Sequence, residues 1–406
     1  MKDKPFLFIL FWWLFWQFIN FMEIIDVRAA SMLTNIIYIL MYISMVVGYY
    51  SLKITLSRNS YPIAENKLHR HYVKRNNSEP SEKINLFYLF FCFCLLFVGL
   101  YKSEAFSLSF IDYFLKMRGT NATGDVSGIS LLDNFIKLFI VPMILASSVF
   151  EMTKIKKHNK IYWGKVLFVF LNILAFTYMF QVNYIIIVFL FLIYLYMIDS
   201  ESSSIYKSWT FKLIFTFFFS LLTLLALNRF GVFDIFGALL YYPATYFSIS
   251  FSLFDYNLQG LSIIHEHTYG LSILGYFSVL PFTLFKVIGW ESFDYIPTAL
   301  ENVTHNSECI YLGGQKCYNA FGSVAFSLYR DFGLLGIVFG GFLYGFSLSY
   351  LNFKRNNNIY LEMCYYYLLV MGLVGIMVSP FDLPYFWFVF IFIFVLSLRL
   401  KSKNKI

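Results

Sequence analysis

Apolar runs of about 20 residues recur along the chain, the helix length that crosses roughly 30 Å of hydrocarbon. Residues 1–22 open with MKDKP and continue as an aromatic-rich run carrying Trp12, Trp13 and Trp16. Val27-Arg28-Ala29 is a weak cleavage pattern, so this run is expected as a retained helix rather than a signal peptide. Further spans are expected over about 30–52, 84–100 and 135–150. Residues 166–198 are apolar but for Gln181-Val182-Asn183. One helix there would reach about 50 Å, well beyond the hydrocarbon, so the spacing predicts two short helices turning at 181–183. Spans over about 211–227, 333–352, 360–378 and 385–400 complete a set of ten. The runs are continuous rather than alternating, which excludes a β-barrel. The expected fold is an all-α polytopic integral membrane protein, a single membrane domain over 1–406.

Charge supports this count. With the N-terminus inside, ten spans place 22 of the 31 Lys and Arg residues on the inner side. The positive-inside rule counts those residues, and reading 166–198 as one span would put basic loops on the wrong face. Hydrophobic residues make up 59% of the chain and charged ones 13%. The net charge of +8 is spread over short loops, which suits anionic lipid headgroups and excludes nucleic acid as the partner.

Two segments then fall outside, 101–134 and the much larger 228–332. Within the second, 235–254 and 268–289 are apolar but broken by Pro243 and Pro281. Counting them as spans would give twelve. Their connector, DYNLQGLSIIHEH, has no Lys or Arg and makes a poor inner loop, so both are expected on or dipping into the outer interface. No internal repeat is visible.

The chain turns on 318–349, where a polar edge of Tyr318, Asn319, Tyr329, Arg330 and Asp331 runs into a glycine-rich apolar helix. Asp331 stands where an N-cap of that helix belongs. Gly336/Gly340 and Gly341/Gly345 are small-xxx-small pairs that let helices approach closely. Arginine is scarce outside, and Arg118, Arg229 and Arg330 sit at loop or helix edges. A guanidinium is a planar fork for bidentate phosphate binding, so the three are candidates for a lipid-linked diphosphate. Each also suits a plain helix anchor. A transfer reaction needs a base, and Asp255, His265, Glu266, His267, His305, Glu308 and Asp331 are available. His305 and Glu308 qualify by type, whereas Asp331 serves also as a cap. His265-Glu266-His267 lacks the i, i+4 spacing of a helical metal site, so no metal or other cofactor is expected. Tyr242, Asn319 and Tyr329 are candidates for contacting sugar, although interfacial belts also use Tyr. Cys309 and Cys317 share the outer loop and are candidates for a disulfide, whereas Cys92, Cys94 and Cys364 lie in apolar runs. No nucleotide-binding glycine loop, serine triad or DxD motif is present.

The ten spans, the dominant outer segment and the run Asn319, Gly322, Tyr329, Asp331, Phe332, Gly333, Gly336 together resemble the Wzy-type oligosaccharide repeat-unit (O-antigen) polymerases. The likeness of organisation covers most of the chain, and that of residues is confined to about 318–345 with Arg118 and Arg229. Many members carry a Gly-Ser-Arg-Gly-like turn between two middle spans where this chain has Phe180-Gln181-Val182-Asn183-Tyr184, so no arginine role carries over there. The resemblance implies a metal-independent, inverting, GT-C-like glycosyltransferase in the bacterial inner membrane with its site facing the periplasm. It implies undecaprenyl-diphosphate-linked oligosaccharide as substrate, with membrane lipids and a chain-length regulator as further partners. An O-antigen ligase shares the chemistry and differs in acceptor. A polysaccharide flippase is a third reading, and it would show repeat symmetry and polar residues within the spans.

Overall fold

The computed structural model describes residues 3–23, 27–59, 79–108, 113, 130–158, 161–180, 184–199, 216, 220, 235–261, 267–274, 310–311, 317–318, 322–355, 358–383 and 385–401. Among them the regular structure is helical apart from a two-residue antiparallel ladder, Ile310 opposite Tyr318 and Tyr311 opposite Cys317. In chain order the helices are α1 (Lys4–Phe21), α2 (Met32–Asn59), α3 (Glu79–Lys102), α4 (Ser130–Phe135), α5 (Val141–His158), α6 (Trp163–Phe180), α7 (Tyr184–Asp199), α8 (Ile235–Tyr256), α9 (Leu271–Leu274), α10 (Val324–Lys354), α11 (Ile359–Val374) and α12 (Phe386–Lys401). Among the described residues six helical segments are long and apolar enough to cross a membrane, and three shorter apolar helices accompany them. The hairpin expected over 166–198 is present as α6 and α7, separated by 181–183. The span expected over 211–227 lies outside the described residues, apart from Thr216 and Ser220.

The chain forms two compact units. Unit 1 comprises Met1–Ile54, Phe219–Phe353 and Leu368–Phe386; unit 2 comprises Thr55–Phe218, Lys354–Tyr367 and Trp387–Ile406.

In unit 1, α1 and α2 run antiparallel. Phe6 stacks on Tyr49 at 4.0 Å, Trp13 meets Tyr38 and Tyr42, and Gln17 donates to Asn35 Oδ1 at 2.8 Å. α2 and α10 run parallel, and glycine sets their spacing. An ideal Cβ on Gly345 would fall 2.0 Å from Met45 O, one on Gly341 2.8 Å from Met41 O, and one on Gly48 2.1 Å from Phe342 O. Only a residue without a side chain permits backbones this close. Trp13 Nε1 donates to Gly372 O at 2.8 Å, and Tyr344 OH donates to Leu368 O at 3.0 Å, which ties the end of α11 to both α1 and α10.

The 235–254 region, expected on or dipping into the outer interface, forms α8, which runs parallel to α1. Phe247 packs between Trp12 and Trp16, and Asn20 reaches Ser248 O at 3.1 Å and Ser252 Oγ at 2.7 Å, so both helices advance together. Ser248 and Ser252 are small and polar at i, i+4, which lets a buried Asn dock where a branched apolar residue would block it. The 22 residues of α8 reach about 33 Å, Pro243 included.

In unit 2, α3 runs parallel to α6 and antiparallel to α5. Asn172 Nδ2 donates to Leu89 O at 3.1 Å, and Asn85 Nδ2 to Glu151 Oε1 at 2.6 Å. An ideal Cβ on Gly99 would fall 2.6 Å from Met179 Sδ. A π-helical turn over Ile136–Ile140 joins α4 to α5.

Candidate functional site

The stretch singled out in the sequence is a broken helix. Within α10, Phe332 has φ −141° and Gly333 has φ +59°, a left-handed value that favours glycine. The part before the break folds back on the part after it. An ideal Cβ on Gly336 would fall 1.9 Å from Leu328 O, and one on Gly340 2.4 Å from Leu328 Cδ2. In a straight helix, residues 328 and 340 would stand about 18 Å apart. So Gly336 and Gly340 serve a fold-back inside their own element, while Gly341 and Gly345 serve the neighbouring helix. The first part returns into unit 1: Val324 N donates to Gly375 O at 2.8 Å, Ser327 Oγ to Ser379 Oγ at 2.6 Å, and Tyr38 OH pairs with Ser323 Oγ at 2.7 Å. Beyond the break the helix matches the span expected over 333–352.

Asp331 sits at the corner, and its role differs from the expected one. It lies within α10 and does not cap it. Its carboxylate accepts from the amides of Ser272 at 2.9 Å and Ile273 at 2.8 Å, and from Thr268 Oγ1. It is therefore the cap of α9, 60 residues earlier in the chain. Ser272 Oγ in turn donates to Thr268 Oγ1 at 2.8 Å, because the Thr268 proton is given to Asp331. Asp331 is fully buried, with both oxygens engaged as hydrogen-bond acceptors. The same corner accepts twice more: Arg330 O takes the amide of Thr268 and the ring N–H of His267, each at 3.2 Å.

Arg330 also moves. It is 3% exposed, so its guanidinium lies inside unit 1 and not at the surface where a lipid diphosphate would meet it. Tyr329 is half-buried, its ring edge-on to Phe254 at 5.6 Å. Tyr242 lies on α8 immediately before Pro243. Arg118, Arg229, His305, Glu308, Asn319 and Cys309 lie outside the described residues, as does the Cys317 side chain.

A second carboxylate, Asp255 at the end of α8, is held by three donors. Thr34 Oγ1 donates at 2.6 Å, Gln259 Nε2 at 2.8 Å, and Ser31 Oγ as well. Ser31 also accepts the Thr34 amide at 3.4 Å and so caps α2. Beside it Asn20 Oδ1 accepts the Ala30 amide at 3.0 Å, and Ser252 Oγ donates to Arg28 O at 2.7 Å. One end of unit 1 thus gathers polar groups from α1, α2 and α8. Phe254, the residue before Asp255, links this cluster to Tyr329 and Tyr38. A π-helical turn over Asn257–Leu261 follows, a device that often re-aims side chains at functional sites.

Unit 2 carries a different cluster. Arg355 grips Asp199 with two nitrogens at 2.6 and 2.9 Å, Lys156 Nζ lies 2.7 Å from Asp199 Oδ2, and Tyr366 OH donates to that same oxygen. Glu362 lies 3.4 Å from Lys156 and 3.5 Å from Lys157. Burial alone would loosen the Arg355 proton. The Asp199 hydrogen bond and the Asp199 charge outweigh it, so Arg355 is held more firmly protonated than usual. The cluster neutralises an aspartate at the C-terminus of α7, where the helix dipole opposes it. Among the described residues no three His, Cys, Asp or Glu side chains converge as a metal site.

Sequence reasoning missed Thr268, Ser272, Ser31 and Asn20. Thr268 and Ser31 are hydroxyl residues just ahead of apolar helical segments, a readable start signal. Asn20 gave no signal beyond being polar at the end of an apolar run.

No family model matches the chain, and comparison with curated proteins and with solved structures found no match.

Proposed function

We propose that this chain is a membrane glycosyltransferase that joins undecaprenyl-diphosphate-linked oligosaccharide repeat units at the outer face of the bacterial inner membrane. The observation that carries the reading is the run Tyr329-Arg330-Asp331-Phe332-Gly333. It forms a clamped corner between the large outer segment and a membrane helix, at a polar end of unit 1. In this mechanism a sugar hydroxyl of one repeat unit attacks the anomeric carbon of another, and the bond from that carbon to the diphosphate oxygen breaks. The hydroxyl proton passes to His305 or Glu308. Arg118 stabilises the charge that develops on the departing diphosphate. Asp331 holds the corner and takes no proton. The bundle is read as ten spans or more in a GT-C-like arrangement, with α8 as a candidate addition.

A deletion strain complemented with the wild-type gene tests this. Surface glycan limited to a single repeat unit, extended to polymer on complementation, is the expected result. Loss of all attached glycan would indicate a ligase instead, and lipid-linked repeats stranded on the inner leaflet would indicate a flippase.

A further inference from the structure

We infer that His267, Tyr269 and Phe332 form an aromatic platform that binds a sugar ring of the oligosaccharide. This rests on the glycosyltransferase reading and adds a subsite to it. The three rings converge across the Asp331 corner. His267 stands over Gly333, its Cε1 3.4 Å from where a Cβ there would be, and Phe332 stands over Gly270, its Cζ 3.7 Å from the corresponding point. Both glycines have positive φ, +59° and +97°, so the two turns that present the rings are left-handed. The His267 and Tyr269 rings meet nearly edge to face at 6.2 Å.

Tyr269 is the informative residue. Its φ is +49°, a conformation that costs a bulky residue on the order of 1 kcal/mol and that Gly or Asn would adopt more readily. Two other described non-glycine residues share the positive φ, Glu23 and Glu104, and each has a local task. The Glu23 side chain accepts the Ala29 amide, and the Glu104 carbonyl accepts from Ser107. The Tyr269 side chain has no hydrogen bond among the described residues and is 78% exposed. The Leu271 amide closes the turn onto Thr268 O at 3.0 Å, so the backbone of Tyr269 is held by the turn while its ring stands exposed to a ligand.

The chemistry of the patch favours a sugar over a lipid chain. A pyranose offers one face of polarised C–H bonds, which suits an aromatic face, and a rim of hydroxyls, which needs polar atoms beside that face. Phe332, 45% exposed, supplies ring area, and the Tyr269 hydroxyl supplies a donor. His267 gives its Nδ1 proton to Arg330 O, which leaves Nε2 as an acceptor on an exposed ring. The Asp331 clamp beneath fixes both turns, so little ordering is required on binding.

The probe is the repeat-unit oligosaccharide released by mild acid from the producing cell's own glycan. Its binding to full-length protein in lipid nanodiscs is followed by saturation-transfer NMR. Tyr269→Gly removes the ring and relieves the backbone, so its thermal unfolding stays at or above that of wild type. It and Phe332→Ala are each expected to weaken binding roughly tenfold, while Tyr269→Phe stays within about twofold. Unchanged affinity in Tyr269→Gly, or no saturation transfer to wild type, overturns the platform. So does quenching of Tyr269→Trp emission by brominated-chain lipids, which would place the ring in the membrane. Failure here with a polymer-deficient deletion strain leaves the glycosyltransferase reading standing. A deletion strain with normal polymer removes that reading whatever the binding result.

Discussion

In unit 1, α2 and α10 approach until a Cβ on Gly345 would fall 2.0 Å from a backbone oxygen; in unit 2, Asp199 and Arg355 are joined through the tips of their side chains. The two kinds of contact respond differently to displacement. Backbone packing is a hard wall, and a few tenths of an ångström decide whether it fits. Charge attraction falls off gradually and tolerates a shift of an ångström with little loss. Unit 1 therefore holds positions, and unit 2 holds together. The clamped corner of α10 belongs to the unit built to hold positions.

The largest expected effect falls on the charge side. Arg355→Met leaves Asp199 buried with Lys156 as its remaining cation, and should cost about 3 kcal/mol in thermal unfolding of the detergent-solubilised protein. The pair Arg355→Met and Asp199→Leu should recover most of that, since replacing a whole ion pair by apolar groups is often near neutral. A single variant as stable as wild type would mean that this cluster does not hold unit 2. Next is the seam. Gly345→Ala should cost about 2 kcal/mol, because the offending atom is backbone and cannot rotate away. Gly164→Ala in α6, where a Cβ meets nothing within 4 Å, is the control and should be neutral or slightly stabilising. Equal behaviour of the two glycines would erase the contrast. The smallest effect is at the corner. Asp331→Ala should cost about 1–2 kcal/mol and speed hydrogen exchange at the Ser272 and Ile273 amides, while polymer is still made. Loss of all polymer in a well-folded Asp331→Asn would instead make Asp331 a reacting group.

Period and length carried much of the fold. The Gln181–Asn183 break located the α6–α7 hairpin because a 33-residue helix overshoots hydrocarbon, an argument from one dimension. Two features escaped it. α8 looked interfacial because its flanking connector lacks Lys and Arg, yet its place beside α1 is decided by Asn20 fitting Ser248 and Ser252, a match between residues 228 and 232 positions apart. The corner at 332–333 escaped because Asp-Phe-Gly reads equally as the start of a helix and as a break inside one. Which it is depends on whether Asp331 finds amides in its own helix or in another, and that choice is tertiary. At the candidate site, polarity drew attention to the stretch at 318–331, and burial then gave Asp331 and Arg330 interior positions, and burial is a property of neighbours.

The fold-back of α10 also sets an order on how the chain can be made. The segment before the break docks on Gly375 and Ser379, which leave the ribosome roughly 50 residues after Leu328. At about 5–20 residues per second that is a delay of roughly 3–10 s. During it the helix beyond the break can already occupy the bilayer, while the Val324 amide and the Ser327 hydroxyl still lack their final partners. Docking of that segment is consequently a late step in biogenesis, completed only when the chain beyond α11 arrives; a nascent chain halted at Lys354 would hold the Asp331 bonds to Thr268, Ser272 and Ile273 without it.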